Sequence, residues 1–156
     1  MDKYQERLSV GTYDGAIIEG TALLYNKSRL SELFNDETAR FIVMDDTLDD
    51  SGRTKERIYL NKDLIIWAAP KEVKHSSQNT MFGATEYVEV FMKTIKNVII
   101  EGRINLQVFG NIFDMLRYTG TAPFIVLINA RDTNGELRHT LFVNKSAIIQ
   151  IECSVS

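Results

Sequence analysis

The chain repeats itself, and the repeat restricts its fold more than any other feature. Val10–Lys62 aligns with Met92–Lys145 across a single one-residue gap. Ile17-Ile18-Glu19-Gly20 returns 82 positions on as Ile99-Ile100-Glu101-Gly102, and Asn61-Lys62 returns 83 positions on as Asn144-Lys145, so the gap lies between these anchors. Between them Leu30, Leu33 and Phe34 match Ile112, Met115 and Leu116, and Phe41-Ile42-Val43 matches Phe124-Ile125-Val126. Two equivalent folding units follow. With 156 residues in all, each unit has only about 70, a size that buries about 60% of its unfolded surface and is marginal alone. The copies are therefore expected to pack against each other or into an oligomer.

Within each copy the pattern is that of strands. Leu8–Asp14 alternates Leu8, Val10 and Thr12 against Ser9, Gly11 and Tyr13, as a half-buried strand does, and Asp14-Gly15 supplies a turn dipeptide. The return strand Ala16–Tyr25 contains Gly20, which fits a strongly bent strand crowding its neighbour. Tyr87–Ile95 and Val98–Val108 repeat this hairpin around Lys96-Asn97. A short helix comes next in each copy. Arg29–Phe34, capped by Ser28 and ended by Asn35, presents Leu30, Leu33 and Phe34 on one face, and Ile112–Tyr118 is capped by Asn111 and stopped by Gly120. Phe41–Thr47 and Phe124–Ala130 are third strands, followed by the turns Asp49-Asp50-Ser51-Gly52 and Asp132-Thr133-Asn134-Gly135. Glu56–Ala69 and Glu136–Glu152 are each split at Asn-Lys into a fourth and a fifth strand.

Composition places this chain among soluble globular proteins, with 44% hydrophobic and 25% charged residues and a net charge of −3. Neither half is a basic nucleic-acid surface by charge count. No apolar run approaches the roughly 18–20 residues of a membrane span, and the first residues show no signal-peptide core, so a cytoplasmic location is expected. Cys153 is the only cysteine, which leaves no internal disulfide and no thiolate metal cluster.

Five strands, a Gly-bent second strand and a tight turn before a short last strand resemble the Sm-like (Lsm) small barrel. Val10, Gly15 and Gly20 fall at the spacing of that family's first motif, while the second copy keeps Gly102 and has Asn97 at the earlier position. Ile58–Ile66 and Leu141–Ile149 have the layout of its second motif, with Asn-Lys in place of an Arg-Gly type pair. The phrase as a whole also looks like an uncharacterised bacterial family of small Sm-like proteins. The resemblance implies a mainly β protein of two tandem five-stranded Sm-like barrels, each with a short helix between its second and third strands. Residues 1–70 and 87–156 would be the barrels and 71–86 a linker. It further implies self-association through the edges of the fourth and fifth strands. In RNA-binding members an Asp and a Met-Asn pair after the second strand hold a base; Asn26-Lys27-Ser28-Arg29 and Val108-Phe109-Gly110-Asn111 stand there instead, so that pocket is absent or remodelled.

Little in the chain speaks for catalysis. His75 and His139 have no His/Cys partner at ligand spacing, Asp45, Asp46, Asp49 and Asp50 lack EF-hand order, and no phosphate loop or nucleophile elbow occurs. No metal or cofactor is called for. Glu19 and Glu101 form paired carboxylates only if the copies face each other across a polar cleft, the one arrangement that would suggest an enzyme. The remaining candidates are Asn61, Lys62, Asn144 and Lys145, since an Asn amide offers a donor and an acceptor to a base edge and a Lys ammonium suits a phosphate. Tyr13, Tyr59 and Trp67 are aromatics able to stack on bases, although packing is the commoner use of such side chains, and Asn is common wherever a turn needs positive φ. The expectation is a non-enzymatic assembly or binding module, with RNA or a nucleotide at the Asn-Lys turns as the alternative and a protein partner also open.

Overall fold

A computed structural model describes residues 5–25, 29–71, 87–106, 109–118 and 122–153. Among them the chain forms ten strands and two short helices: β1 (Gln5–Thr12), β2 (Ile17–Leu23), α1 (Leu30–Phe34), β3 (Phe41–Asp49), β4 (Thr54–Asn61), β5 (Ile65–Pro70), β6 (Tyr87–Thr94), β7 (Val98–Asn105), α2 (Ile112–Tyr118), β8 (Phe124–Arg131), β9 (Leu137–Asn144) and β10 (Ile148–Cys153). All strands belong to one antiparallel sheet ordered β10-β6-β7-β8-β9-β5-β1-β2-β3-β4. Each half supplies five adjacent strands in the same spatial order, fifth, first, second, third, fourth, with its helix between the second and third.

The sheet is open. Two closed barrels, each around its own interior, were the expectation, and the structure replaces them with one continuous sheet. The reason lies in β5, which does not pair with its own β4 and pairs instead with β9 of the other half, Trp67 opposite Val143 and Ala68 opposite Phe142. Strand alternation then sends neighbouring side chains of β5 into different interiors. Ala68 joins the core built on Leu8, Val10, Phe34 and Met44, while Trp67 and Ala69 join the core built on Met92, Ile100, Leu127 and Leu141. Strand β9 reciprocates, with Phe142 in the former and Leu141 and Val143 in the latter. Strand β1 differs from its half-buried pattern for the same reason: Leu8, Ser9, Val10 and Gly11 are all buried, because the second core covers the face that holds Ser9 and Gly11.

Local geometry follows the residue types closely. At Gly20 a Cβ would lie 2.9 Å from the Thr47 methyl and at Gly102 a Cβ would lie 2.7 Å from that of Ala130, so only glycine lets the bent second strand meet the bulged third. The bulges coincide with left-handed Asp46 and Asn129, again at equivalent positions. Lys96 and Asn97 occupy the left-handed region in the β6–β7 turn. Asn111 caps α2 by accepting from the Asp114 N–H at 2.8 Å. At α1 the N-cap position is Arg29 and makes no side-chain cap bond. Asn26, Lys27, Ser28, His75, Val108, Gly120 and, beyond Lys71, the expected linker lie outside the described residues. Among the described residues no helix is long and apolar enough to cross a membrane.

Candidate functional site

The Asn-Lys turns are structural joints at the seam between β5 and β9. Each opens a 3-10 turn, Lys62–Leu64 or Lys145–Ala147, in which the Asn Oδ1 accepts from the second N–H onward: Asp63 at 2.9 Å and Ser146 at 3.0 Å. Their φ angles are −76° and −70°. Asn is present as an N-cap acceptor, and the positive φ often associated with it is absent. The Asn144 amide also donates across the seam, to the Ile65 carbonyl at 2.9 Å and, at longer range, to Asp63 and Lys62 carbonyls. It is buried, so these bonds replace water entirely.

Lys62 is buried as well. Its Nζ donates to the Leu33 and Asp36 carbonyls at 2.7 and 2.8 Å where α1 ends, adding to the long 3.4 Å bonds they accept from the Asp36 and Ala39 N–H groups. This spends on the fold the charge that would have suited a phosphate. Lys145 is half-buried, and burial pushes its ammonium pKa below the usual lysine value. Of the four candidate residues, Lys62 and Asn144 meet in a polar cleft of about 210 Å³ beside Asp36, Glu37, Arg40 and Asp63. Asn61 and Lys145 are not among its lining residues.

Three features invisible to motif reasoning complete the seam. Phe34 of α1 packs on Phe124 and Phe142 of the other half, ring centroids 5.0 and 5.4 Å away. Asn35 accepts from the Phe124 N–H at 3.0 Å. Trp67, the only tryptophan, is fully buried beneath the β8–β9 turn: its indole Nε1 donates to Thr133 Oγ1 at 2.9 Å and the Arg138 guanidinium lies over its ring at 5.6 Å. Arg138 is held by Asp132 at 2.9 Å, and Asp132 in turn accepts from the Asn134 and Glu136 N–H groups. Gly11, opposite Trp67 in β1, provides the space, since a Cβ there would lie 2.2 Å from Nε1. The repeat itself carries a signal for this plug. The second copy has Gln150 and Lys93 at the positions of Trp67 and Gly11, and they too are cross-strand partners.

The same equivalence shows what the seam hides. Phe124, Phe142 and Ala147 are 4%, 5% and 0% exposed under β5 and α1, whereas their counterparts Phe41, Tyr59 and Leu64 beside the free edge of β4 are 51%, 63% and 51% exposed. At the opposite end Ile149 of β10 is 58% exposed, against 5% for Ile66 of β5. Both outer edges therefore display surfaces that the seam buries.

Arrangements expected of an enzyme do not form around the paired carboxylates. Glu19 lies on β2 and Glu101 on β7, with β8, β9, β5 and β1 between them, and they share no cleft. Among the described residues no group of three or more His, Cys, Asp or Glu gathers to hold a metal ion. Compared with protein-family models, curated proteins and solved structures, the chain matches none.

Proposed function

We propose that this protein is a non-enzymatic assembly module made of two Sm-like five-stranded units, and that it self-associates through the free edges of β4 and β10. The observation carrying this reading is the β5–β9 seam. It joins a fifth strand to a fourth strand, and the sheet ends in one strand of each kind with a free edge. An unpaired edge flanked by exposed aromatic rings is a template for another strand. The common strand order of the halves, their Gly-bent second strands and their Asn-Lys turns support the Sm-like kinship.

Sedimentation or light scattering across a wide concentration range tests the reading. Species larger than one chain are expected, and Phe41→Lys with Tyr59→Lys should return the protein to single chains without unfolding it, because both side chains already face solvent. A strict monomer at every concentration would overturn the reading. A nucleotide ligand at the Asn-Lys turns has less support, since Lys62 is consumed by α1 and Asn144 by the seam. Salt-dependent binding of single-stranded RNA, lost on Lys145→Ala, would move that alternative ahead.

A further inference from the structure

The seam allows the joint between molecules to be built residue by residue, and the inference that follows rests on the self-association reading above. Advancing the β5–β9 register by one repeat places Gln150 opposite Leu60 and Ile151 opposite Tyr59 of a second copy, as Trp67 stands opposite Val143 and Ala68 opposite Phe142. The exposed Phe41, Tyr59 and Leu64 are then covered as Phe124, Phe142 and Ala147 are. Thr133, the acceptor of the Trp67 indole, becomes Asp50, and Arg138 becomes Lys55.

The two ends differ in how they would fill the slot. At the seam an indole lies over a glycine. At the free end of the sheet the corresponding cross-strand pair is Lys93 and Gln150. A Cβ at Gly11 would adjoin the indole nitrogen, and that nitrogen lies 2.9 Å from Thr133. A lysine at the position of Gly11 therefore reaches the group at the position of Thr133, which in the first half of the next molecule is the Asp50 carboxylate. We propose that copies join head to tail, β10 of one on β4 of the next, and that Lys93 and Gln150 make this joint an electrostatic one on Asp50, weaker and more reversible than the apolar seam. Lys93 and Gln150 are thus the specificity-determining pair of the assembly, and the partner is a second copy of this chain.

Charge reversal and register test it together, with sedimentation velocity on the full chain as the readout and Trp67 fluorescence as the folding control. Association should weaken at least tenfold between 50 mM and 500 mM NaCl, as expected of an ion pair open to screening. Lys93→Glu should abolish it, and Asp50→Lys added to Lys93→Glu should restore it. Gln150→Trp with Lys93→Gly, which recreates the plug, should give tighter and salt-insensitive association. In the same register Cys153 falls opposite Arg57 of the next copy, so Arg57→Cys should form an intermolecular disulfide with the native Cys153 on treatment with diamide. Oligomers indifferent to salt and to Lys93→Glu, or oligomers in which Arg57→Cys does not cross-link, overturn the head-to-tail electrostatic joint and leave self-association standing. The absence of any oligomer overturns both.

Discussion

Trp67 and Gly11 depend on each other, and so do Asn144 and the carbonyls it spans. Gly11→Ala puts a methyl into the indole ring, and about 1–3 kcal/mol of overpacking cost is expected from chemical denaturation. Trp67→Ala empties the slot and should cost about 3–5 kcal/mol. Lys93→Ala, at the equivalent place in the second half where no tryptophan needs room, should stay within about 0.5 kcal/mol of the parent. Lys62→Met keeps the aliphatic stem but leaves the Leu33 and Asp36 carbonyls only their long 3.4 Å bonds from the Asp36 and Ala39 N–H groups, for an expected loss of about 0.5–1.5 kcal/mol, seen first as faster amide exchange in α1. Residue types alone revealed the Asn-Lys turns but not the bonds that Lys62 and Asn144 make within the fold. An ammonium in a turn looks available to a ligand until its own helix end is found beside it.

At the scale of elements, the β3–β4 turn makes a pH prediction. Asp49 accepts from the Ser51 hydroxyl at 2.6 Å and from the Arg53 and Ser51 N–H groups, and these bonds hold its carboxyl below the ordinary carboxylate range. Because the folded value is the lower one, the stabilisation is complete above the unfolded pKa of about 4 and is lost as pH falls through the folded value. The protection factors of the Ser51 and Arg53 amides, which are normalised for the intrinsic slowing of exchange in acid, should therefore fall on acidification. Asp49→Asn, which keeps a neutral acceptor, should remove that pH dependence. The succession of strands along the chain, the hairpins and both helices were legible in the sequence because apolar period, turn dipeptides and the repeat all agreed on them. The closed barrels were not. That a fifth strand meets another copy's fourth strand was implied by the family resemblance and is what β5 and β9 do, but no local pattern encodes it, and the clue in the residues lay in where the copies differ, at Trp67 against Gln150.

For the whole molecule, the seam predicts that the halves are not independent. Expressed alone, residues 1–71 would expose Ile66, Trp67 and Ala69, and Trp67 emission should be red-shifted. Adding residues 87–156 should restore the blue-shifted emission and a cooperative melt. A first half that folds alone with its indole shielded from solvent would contradict this account of the cores.

Strand β5 faces two interiors at once, and this has a consequence for how the copies diverged. After a duplication each unit would ordinarily drift on its own terms, but here a change in β5 or β9 is felt by both hydrophobic centres. The copies accordingly differ away from the middle of the protein: lysine and glutamine stand on β6 and β10 and aspartate in the β3–β4 turn, at the places of Gly11, Trp67 and Thr133.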